Sequence, residues 1–200
     1  MPRPKDPGRR EELVDALVDH LLAGGAADLS LRGAAAALGI STFPLTYHFG
    51  SKEGLMAAAL AGHEARLQAM VMAWAASEPG GDPGALVRRF WAWVSREELL
   101  PSFRLFFEVW GLALQRPDRY PGVLEAAWAP WVALLRRIAL ESGVPANVAD
   151  AVAGLGVAAS TGAMLGLLTT GDRVGADRTI ALAADAIDRC CAVSFGKQQD

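Results

Sequence analysis

Residues 30–55 read "SLRGAAAALGISTFPLTYHFGSKEGL", and this stretch decides the fold. An Ala-rich run at 31–38 and an aromatic-rich run at 42–49 each follow a serine, which is a good helix N-cap. Between the two runs lies Gly39, which can adopt the left-handed conformation that a tight reversal requires. Two short helices joined by a turn of three or four residues predict a helix-turn-helix.

The second helix of such a pair enters the major groove of DNA, with its first residues facing the base edges. Thr42, Phe43 and Thr46 would lie there, because threonine offers a hydroxyl and a methyl group and phenylalanine can touch a thymine methyl. Lys52 begins the next helix, whose N-terminus adds its own attraction for a phosphate. The residues expected to contact DNA are Arg32, Ser41, Thr42, Phe43, Thr46, Tyr47, His48 and Lys52.

The same pattern also fits two connector helices in an ordinary helical bundle, with Phe43 and Tyr47 in its core. Phe49 is expected in the core on either interpretation. A formal net charge of -3 is not that of a strongly basic nucleic-acid binder. The opening "MPRPKDPGRR" is locally basic, and it fits either a phosphate-binding arm or a solvated terminus.

The composition is that of a globular protein with a substantial core, since 52% of the 200 residues are hydrophobic and 20% are charged. Cys190 and Cys191 are adjacent, which predicts neither a disulfide framework nor a metal site. We expect a cytoplasmic protein without a signal peptide, metal or cofactor. The uncharged run 151–170 contains four glycines, so it predicts a tightly packed soluble helix, with a membrane span as the weaker alternative.

Apolar residues recur at helical spacing almost throughout the chain, and no pair of strands can be recognised. Gly24 and Gly25 end the first helix, and the Gly/Pro-rich cluster at 77–84 ends the fourth. We predict an all-α fold of about nine helices. They are expected at 9–23, 31–38, 42–49, from 52 onward, 85–99, 101–115, 121–142 with a kink at Pro130, 146–170 and 177–194.

Residues 30–55 resemble the helix-turn-helix signature of the TetR family of transcriptional regulators. The resemblance covers about the first quarter of the chain, and the later helices agree with the family in number, length and order. It implies a DNA-binding domain at 1–54 and an effector-binding and dimerisation domain at 55–200. Residues 106–135 are faintly similar to the ligand domain of the betaine-regulator subgroup. The signature match is carried by Ser30, Ala35, Gly39, Ile40, Ser41, Leu45, His48, Phe49, Lys52 and Leu55.

Two departures from the family pattern bear on DNA binding. The family usually has tyrosine at the position of Thr46, and here the aromatic residue falls one place later, at Tyr47. A phosphate contact is therefore lost or rerouted. Phe43 and Pro44 are unusual in a reading helix, and they imply an operator preference that the sequence does not reveal.

Five of the six tryptophans fall between positions 91 and 131, in an aromatic-dense region. A filled core is the commoner use of such residues, whereas the resemblance implies a pocket for a lipophilic or aromatic effector, and we expect both. Glu108 and Glu125 are either surface carboxylates or, if they point inward, partners for a cationic ligand. The residues expected to bind the effector are Trp91, Phe103, Phe107, Trp110, Trp128 and Trp131.

The last two helices carry small residues at a spacing near four, at Gly154, Ala158, Gly162 and Gly166. Such residues allow helices to approach closely, either within one chain or across a two-fold axis. The resemblance favours a homodimer, whose two reading helices would recognise palindromic double-stranded operator DNA. It also implies a repressor that a small-molecule effector releases from that operator.

Two other classes of function stay open from the sequence. No nucleophile elbow, phosphate-binding glycine loop or HExxH motif is present, so we predict no catalytic residue and no enzyme. The alternatives are a helical ligand-binding or interaction protein that has lost operator binding, or a cofactor-free helical enzyme. Measurable affinity for duplex DNA would separate a regulator from either of them.

Overall fold

The computed structural model describes residues 7–22, 30–77, 82–120 and 122–196, and these residues form helices and turns with no strand among them. The all-α prediction is confirmed. Gly24 and Gly25, the basic residues Arg3 and Lys5, and positions 78–81 of the Gly/Pro-rich cluster lie outside the described residues.

The described residues form ten α-helical segments. They are α1 (Pro7–Leu22), α2 (Leu31–Ala37), α3 (Thr42–Phe49), α4 (Lys52–Ser77), α5 (Pro83–Val94), α6 (Leu100–Gln115), α7 (Val123–Ala127), α8 (Ala129–Glu141), α9 (Ala146–Thr170) and α10 (Arg173–Gly196). Short 3-10 turns at Glu97–Leu99 and Pro117–Arg119 flank α6.

The helix predicted at 121–142 is divided in the structure, because Trp128 has a non-helical backbone. Pro130 has no N–H to donate to a carbonyl one turn earlier, so an unbroken helix would lose a hydrogen bond at this point. A break at Trp128 places Pro130 in the first turn of α8, where no such bond is needed. The division adds one segment to the nine that were expected.

The ends of two other helices differ from those predicted. α5 ends at Val94, and Ser95 follows as its C-cap, so the predicted end at position 99 is five residues too late. α10 begins at Arg173 and not at 177, because Asp172 accepts a hydrogen bond from the N–H of Gly175 at 2.9 Å. An aspartate in this role satisfies one of the unpaired N–H groups of the first helical turn.

The described helices belong to two compact units. Unit one comprises the described residues within 1–66 and 97–127, and unit two comprises those within 67–96 and 128–200. The division therefore falls inside α4, after Arg66. The boundary predicted after residue 54 separates a DNA-binding domain from an effector-binding domain, which is a division by function, and it stays a prediction.

Unit one has a hydrophobic core to which α1, α2, α3, α4 and α6 all contribute. Leu17, Leu45 and Leu55 are completely buried in it. At its edge the guanidinium of Arg66 on α4 forms ion pairs with Asp19 and, at 3.2 Å, with Asp15 on α1. The hydrogen bond from Arg66 to Asp19 raises the pKa of the guanidinium above its usual value, so Arg66 stays charged beside the two carboxylates.

Unit two is formed by α5, α8, α9 and α10, with α9 packed against the other three. Gly84 lies so close to α10 that a Cβ there would be 2.1 Å from Asp188 Oδ1, and its N–H donates to that oxygen at 2.8 Å. Arg88 forms ion pairs with Asp185 and, at 3.0 Å, with Asp188. These contacts hold the start of α5 against α10.

α9 is long and apolar enough to cross a membrane, judged by length and composition alone. In unit two it has neighbours on several sides, and Ala149, Val152 and Ala153 are buried among them. About 39% of its most apolar window is buried. A substantial part of this apolar helix is thus left uncovered within the single chain.

Candidate functional site

The packing between α2 and α3 has the geometry predicted for a helix-turn-helix. Ser30 caps α2 by accepting a hydrogen bond from the N–H of Gly33 at 3.0 Å. Gly39 has φ +64° in the turn, which is the left-handed conformation expected of it. Ala34 and Leu45 are buried on the facing sides, so small residues on α2 admit the larger side chains of α3. α3 is thereby held in place from beneath.

A second face of α3 is exposed to solvent. Thr42, Phe43 and Thr46 all lie on this face, as does Ser41, which precedes the helix and makes no side-chain cap bond. Phe43 is 73% exposed, an unusual position for so large an apolar side chain. Its ring stacks on that of Tyr47, with centroids 6.1 Å apart and an interplanar angle of 20°. The exposed face therefore presents three hydroxyls, those of Ser41, Thr42 and Thr46, and a flat aromatic surface.

Tyr47 and His48 are half-buried at the edge of this exposed face. Their rings meet edge to face, with centroids 5.1 Å apart, and Nδ1 of His48 is buried without a hydrogen-bond partner. Phe49 belongs to the core, and the guanidinium of Arg10 lies 5.5 Å from its ring centroid. The core role expected of Phe49 is confirmed, and the ring of His48 packs with its neighbours as well as reaching the surface.

α4 begins two residues beyond Gly50, the C-cap of α3, and its first residue, Lys52, is exposed to solvent. The hydroxyl of Ser51 accepts a hydrogen bond from the N–H of Gly54 at 3.1 Å and so caps the helix. The carboxylate of Glu53 accepts a hydrogen bond from the backbone N–H of the same residue and another from the side chain of Ser51. Both hydrogen bonds lower the pKa of Glu53 below its usual value, and the backbone one has the larger effect. Arg32 is exposed on α2. Both of these predicted cationic residues are therefore exposed to solvent.

The predicted effector residues fall in both units, three in each. In unit one, Phe107 and Trp110 are half-buried and stacked, with centroids 5.9 Å apart, and Phe106 meets both rings edge-on. Phe103 is buried and instead contacts the ring of His63. Phe103 therefore belongs to a different group of contacts from the other two.

In unit two, Trp91 is buried and its indole N–H donates to Asp177 at 2.6 Å. Trp131 is buried against Phe90, with ring centroids 5.3 Å apart, and Trp128 is partly exposed. A tryptophan in a hydrophobic core usually has a hydrogen-bond partner for its indole N–H and a closely packed ring. The packing interpretation of these tryptophans is thus supported, and their effector role stays a prediction.

An apolar cleft also lies within unit two, between α5, α8, α9 and α10. Its walls include Pro83, Leu86, Val87, Leu135, Val152 and Ile187, none of which was predicted to bind an effector. The cleft is too narrow to hold more than about one water molecule.

A buried polar pair on α4 escaped the sequence analysis. His63 is 1% exposed and Glu64 is 6% exposed, whereas the two acids considered from the sequence, Glu108 and Glu125, lie at the surface. Neither ring nitrogen of His63 has a hydrogen-bond partner, and such a group costs about 1–3 kcal/mol when buried. The sequence signal that could have indicated this pair is a histidine next to a glutamate in an Ala/Leu-rich helix.

The described parts of the chain contain no group of three or more His, Cys, Asp or Glu side chains placed to hold a metal ion. Cys190 is exposed and Cys191 is buried. Burial raises the pKa of the Cys191 thiol above its usual value, which disfavours the reactive thiolate.

Apolar residues and glycines form exposed rows on the last two helices. A Cβ added at Gly162 or Gly166 would meet nothing within 4 Å, so the backbone of α9 is open to close approach there. Leu165 on α9 is 48% exposed and Leu182 on α10 is 62% exposed. The exposed rows comprise Leu155, Ala158, Gly162, Leu165 and Gly166 on α9, and Val174 and Leu182 on α10.

No family model and no curated protein matches the chain, but many solved structures do. The multidrug binding protein EbrR complexed with ethidium is 27% identical, with a TM-score of 0.63 over 92% of this chain and 99% of that chain. A member of the TetR family from Streptomyces coelicolor A3 is 26% identical, with a TM-score of 0.61 over the same shares. A putative TetR-family transcriptional regulator from Mesorhizobium loti MAFF303099 shares the fold, at 18% identity and a TM-score of 0.62 over 92% of this chain and 97% of that chain.

Proposed function

We propose that the chain is a ligand-responsive transcriptional regulator of the TetR family that binds operator DNA through α3, and its likeness to EbrR and to the TetR-family member from Streptomyces coelicolor A3 supports this. The observation that carries this proposal is the two-sided burial of α3. Leu45 is completely buried beneath the helix, while Thr42, Phe43 and Thr46 are exposed on the other side. A connector helix in a bundle would bury its aromatic residue, and Phe43 is 73% exposed.

Each exposed group of this face has a matching group on duplex DNA. The hydroxyls of Thr42 and Thr46 can donate to or accept from base edges, and the apolar ring of Phe43 suits a thymine methyl. Lys52 and the N-terminal N–H groups of α4 provide a positive site for a phosphate at the border of the groove. Phosphate contacts would position the helix, and the base contacts would select the sequence.

We propose that the protein acts as a homodimer through the exposed rows of α9 and α10. A single short helix reads few base pairs, and each mismatch costs only about 1–3 kcal/mol, so one copy discriminates poorly. Two copies related by a two-fold axis would read both halves of a palindrome. The open backbone at Gly162 and Gly166 suits the close approach of helices in a four-helix bundle.

The proposed mode of regulation is repression in the cytoplasm, relieved by a small lipophilic or aromatic effector. α4 begins at Lys52 and carries His63 about three turns later, so both residues move with one helix. An effector that favours a different position of α4 would displace Lys52 and the adjoining α3. Operator and effector would then lower each other's affinity by the same factor.

Tyr47→Ala and Lys52→Ala are each expected to weaken operator binding by about 10-fold or more while leaving the fold intact. Both side chains border the exposed face, and each would be lost twice in a dimer. Fluorescence anisotropy with an operator duplex gives the affinity, and circular dichroism checks the fold. Arg104→Ala removes an exposed cation from α6 and serves as the control for charge. If neither variant loses affinity, the DNA-binding roles of these residues are wrong.

A protein that has lost operator binding is the second candidate, and Thr46 favours it, because this short side chain stands where the family usually has tyrosine. The unchanged protein decides between the two candidates in the same anisotropy experiment. Saturable binding to a duplex supports the regulator, and its absence on every duplex tried supports a ligand-binding protein.

A further inference from the structure

His63 is the buried polar side chain that the proposed function leaves unexplained. It lies on α4 with 1% of its surface exposed, and neither Nδ1 nor Nε2 has a hydrogen-bond partner. Nδ1 is 3.6 Å from Oε1 of Glu64, which is beyond hydrogen-bond distance. By contrast, the equally buried Ser102 donates its hydroxyl to the carbonyl of Leu99 at 2.7 Å. The core of unit one therefore pairs one buried polar group and leaves another unsatisfied.

The chemistry of the His63 imidazole indicates which kind of group would serve as its missing hydrogen-bond partner. Neutral histidine has one N–H donor and one acceptor nitrogen. A shift of less than an ångström would let Nδ1–H reach the carboxylate of Glu64, and Nε2 would then accept a hydrogen bond. The missing partner is consequently an N–H or O–H donor, located beside a carboxylate that is only 6% exposed.

An aromatic ring lies beside the two polar side chains of this site. The ring of Phe103 on α6 meets the ring of His63 nearly at right angles, with centroids 5.9 Å apart. Phe106, Phe107 and Trp110 follow on the same helix and form a separate group of ring contacts. Rings and a buried carboxylate together favour a flat ligand with a delocalised positive charge, because aromatic faces attract cations and a carboxylate accepts charge-assisted hydrogen bonds.

We propose that His63 and Glu64 form the polar end of the effector site in unit one, and that the effector is a planar organic cation bearing at least one N–H group. This inference rests on the proposed function, since the ligand is the effector of the regulator. In this site Glu64 balances the positive charge of the effector, and the ring of His63 accepts a hydrogen bond from the effector's N–H group. The ring of Phe103 rotates to make room for the effector. EbrR, which is 27% identical to this chain, has been solved with ethidium and with proflavin, and both are flat aromatic cations.

The test compares charged ligands with uncharged ligands that share their fused-ring framework, in the absence of DNA. Proflavin and ethidium are the cations, and acridine and phenanthridine are the corresponding frameworks without the charge in mildly alkaline buffer. Titration calorimetry with the full chain is expected to show proflavin bound at least about 10-fold more tightly than acridine. Glu64→Gln keeps the shape of the side chain and removes the charge, so it should weaken proflavin binding by about 10-fold to 100-fold and change acridine binding by less than about 3-fold.

Two further variants keep the result interpretable. His63→Phe fills the same space beside Phe103 without any nitrogen, and it should also weaken proflavin binding by at least about 5-fold. Glu108→Gln removes an exposed carboxylate from α6 and should leave both dyes unaffected. Operator affinity and thermal melting of each variant report whether its fold is preserved.

The outcomes separate this proposal from the proposed function. If the parent and Glu64→Gln bind proflavin equally, the proposed cation site is wrong. It is also wrong if the parent protein binds operator DNA but none of the four compounds. If the effect of Glu64→Gln is found and no duplex binds, the cation site stands and the regulator does not. Selective loss of cation binding, in protein that still binds operator, supports both.

Discussion

Leu165→Glu is expected to convert the proposed dimer to a monomer and to lower its operator affinity by at least about 100-fold. Leu165 is 48% exposed in the single chain and lies between Gly162 and Gly166, where the α9 backbone is open. A two-fold axis would place two new carboxylates in one apolar interface, and each would lose water without gaining a partner. Joining two weak half-site contacts raises overall affinity by about 10²–10⁴, and a monomer would lose that factor.

Sedimentation velocity at micromolar concentration measures the change in assembly, and anisotropy on the same sample measures the loss of affinity. Ala133→Glu introduces the same charge at an exposed position of α8, and it is expected to stay dimeric. A Leu165→Glu protein that remains a dimer would place the interface elsewhere. A monomer that retains the parent's affinity would remove the argument that two reading helices are needed.

Leu45→Ala should lower the free energy of unfolding by about 2–5 kcal/mol, the usual loss for a buried leucine. Leu45 is completely buried and belongs to the same core as Ala34 and Phe49. The cavity left behind would loosen α3 from α2. Since the net stability of a domain is only about 5–15 kcal/mol, operator binding should fall together with stability.

Urea unfolding followed by circular dichroism measures this loss through the midpoint and slope of the transition. The adjacent Thr46→Ala is the matched control, because this side chain is exposed to solvent and its removal should change the free energy of unfolding by less than about 0.5 kcal/mol. Similar midpoints for the two variants would mean that Leu45 does not hold α3 in place, and the two-sided burial of α3 would lose its support.

The helix-turn-helix could be predicted from the sequence because its determinants are local. Ser30 is a cap, Gly39 is a turn residue with positive φ, and the flanking runs have helical spacing, so each signal lies within a few residues of the structure it specifies. The division at Trp128 could also have been anticipated, since a proline two residues later is best accommodated in a first turn.

The polar site on α4 could not be predicted in the same way. His63 is buried beside Phe103 of α6, which is forty residues distant in the chain. The aromatic-dense segment 91–131 likewise appeared as one region, although its members are divided between two units. Which side chains share a core is set by tertiary packing, and helical periodicity alone does not reveal it.

Selection of bound fragments from a random duplex library tests the central claim most directly, with Tyr47→Ala processed in parallel. The parent protein is predicted to enrich one palindromic sequence, with half-sites separated by about one helical turn, roughly 34–36 Å. The variant should enrich that sequence weakly or not at all. Failure of the parent to enrich any sequence, or enrichment that is identical in the variant, would contradict DNA reading by α3.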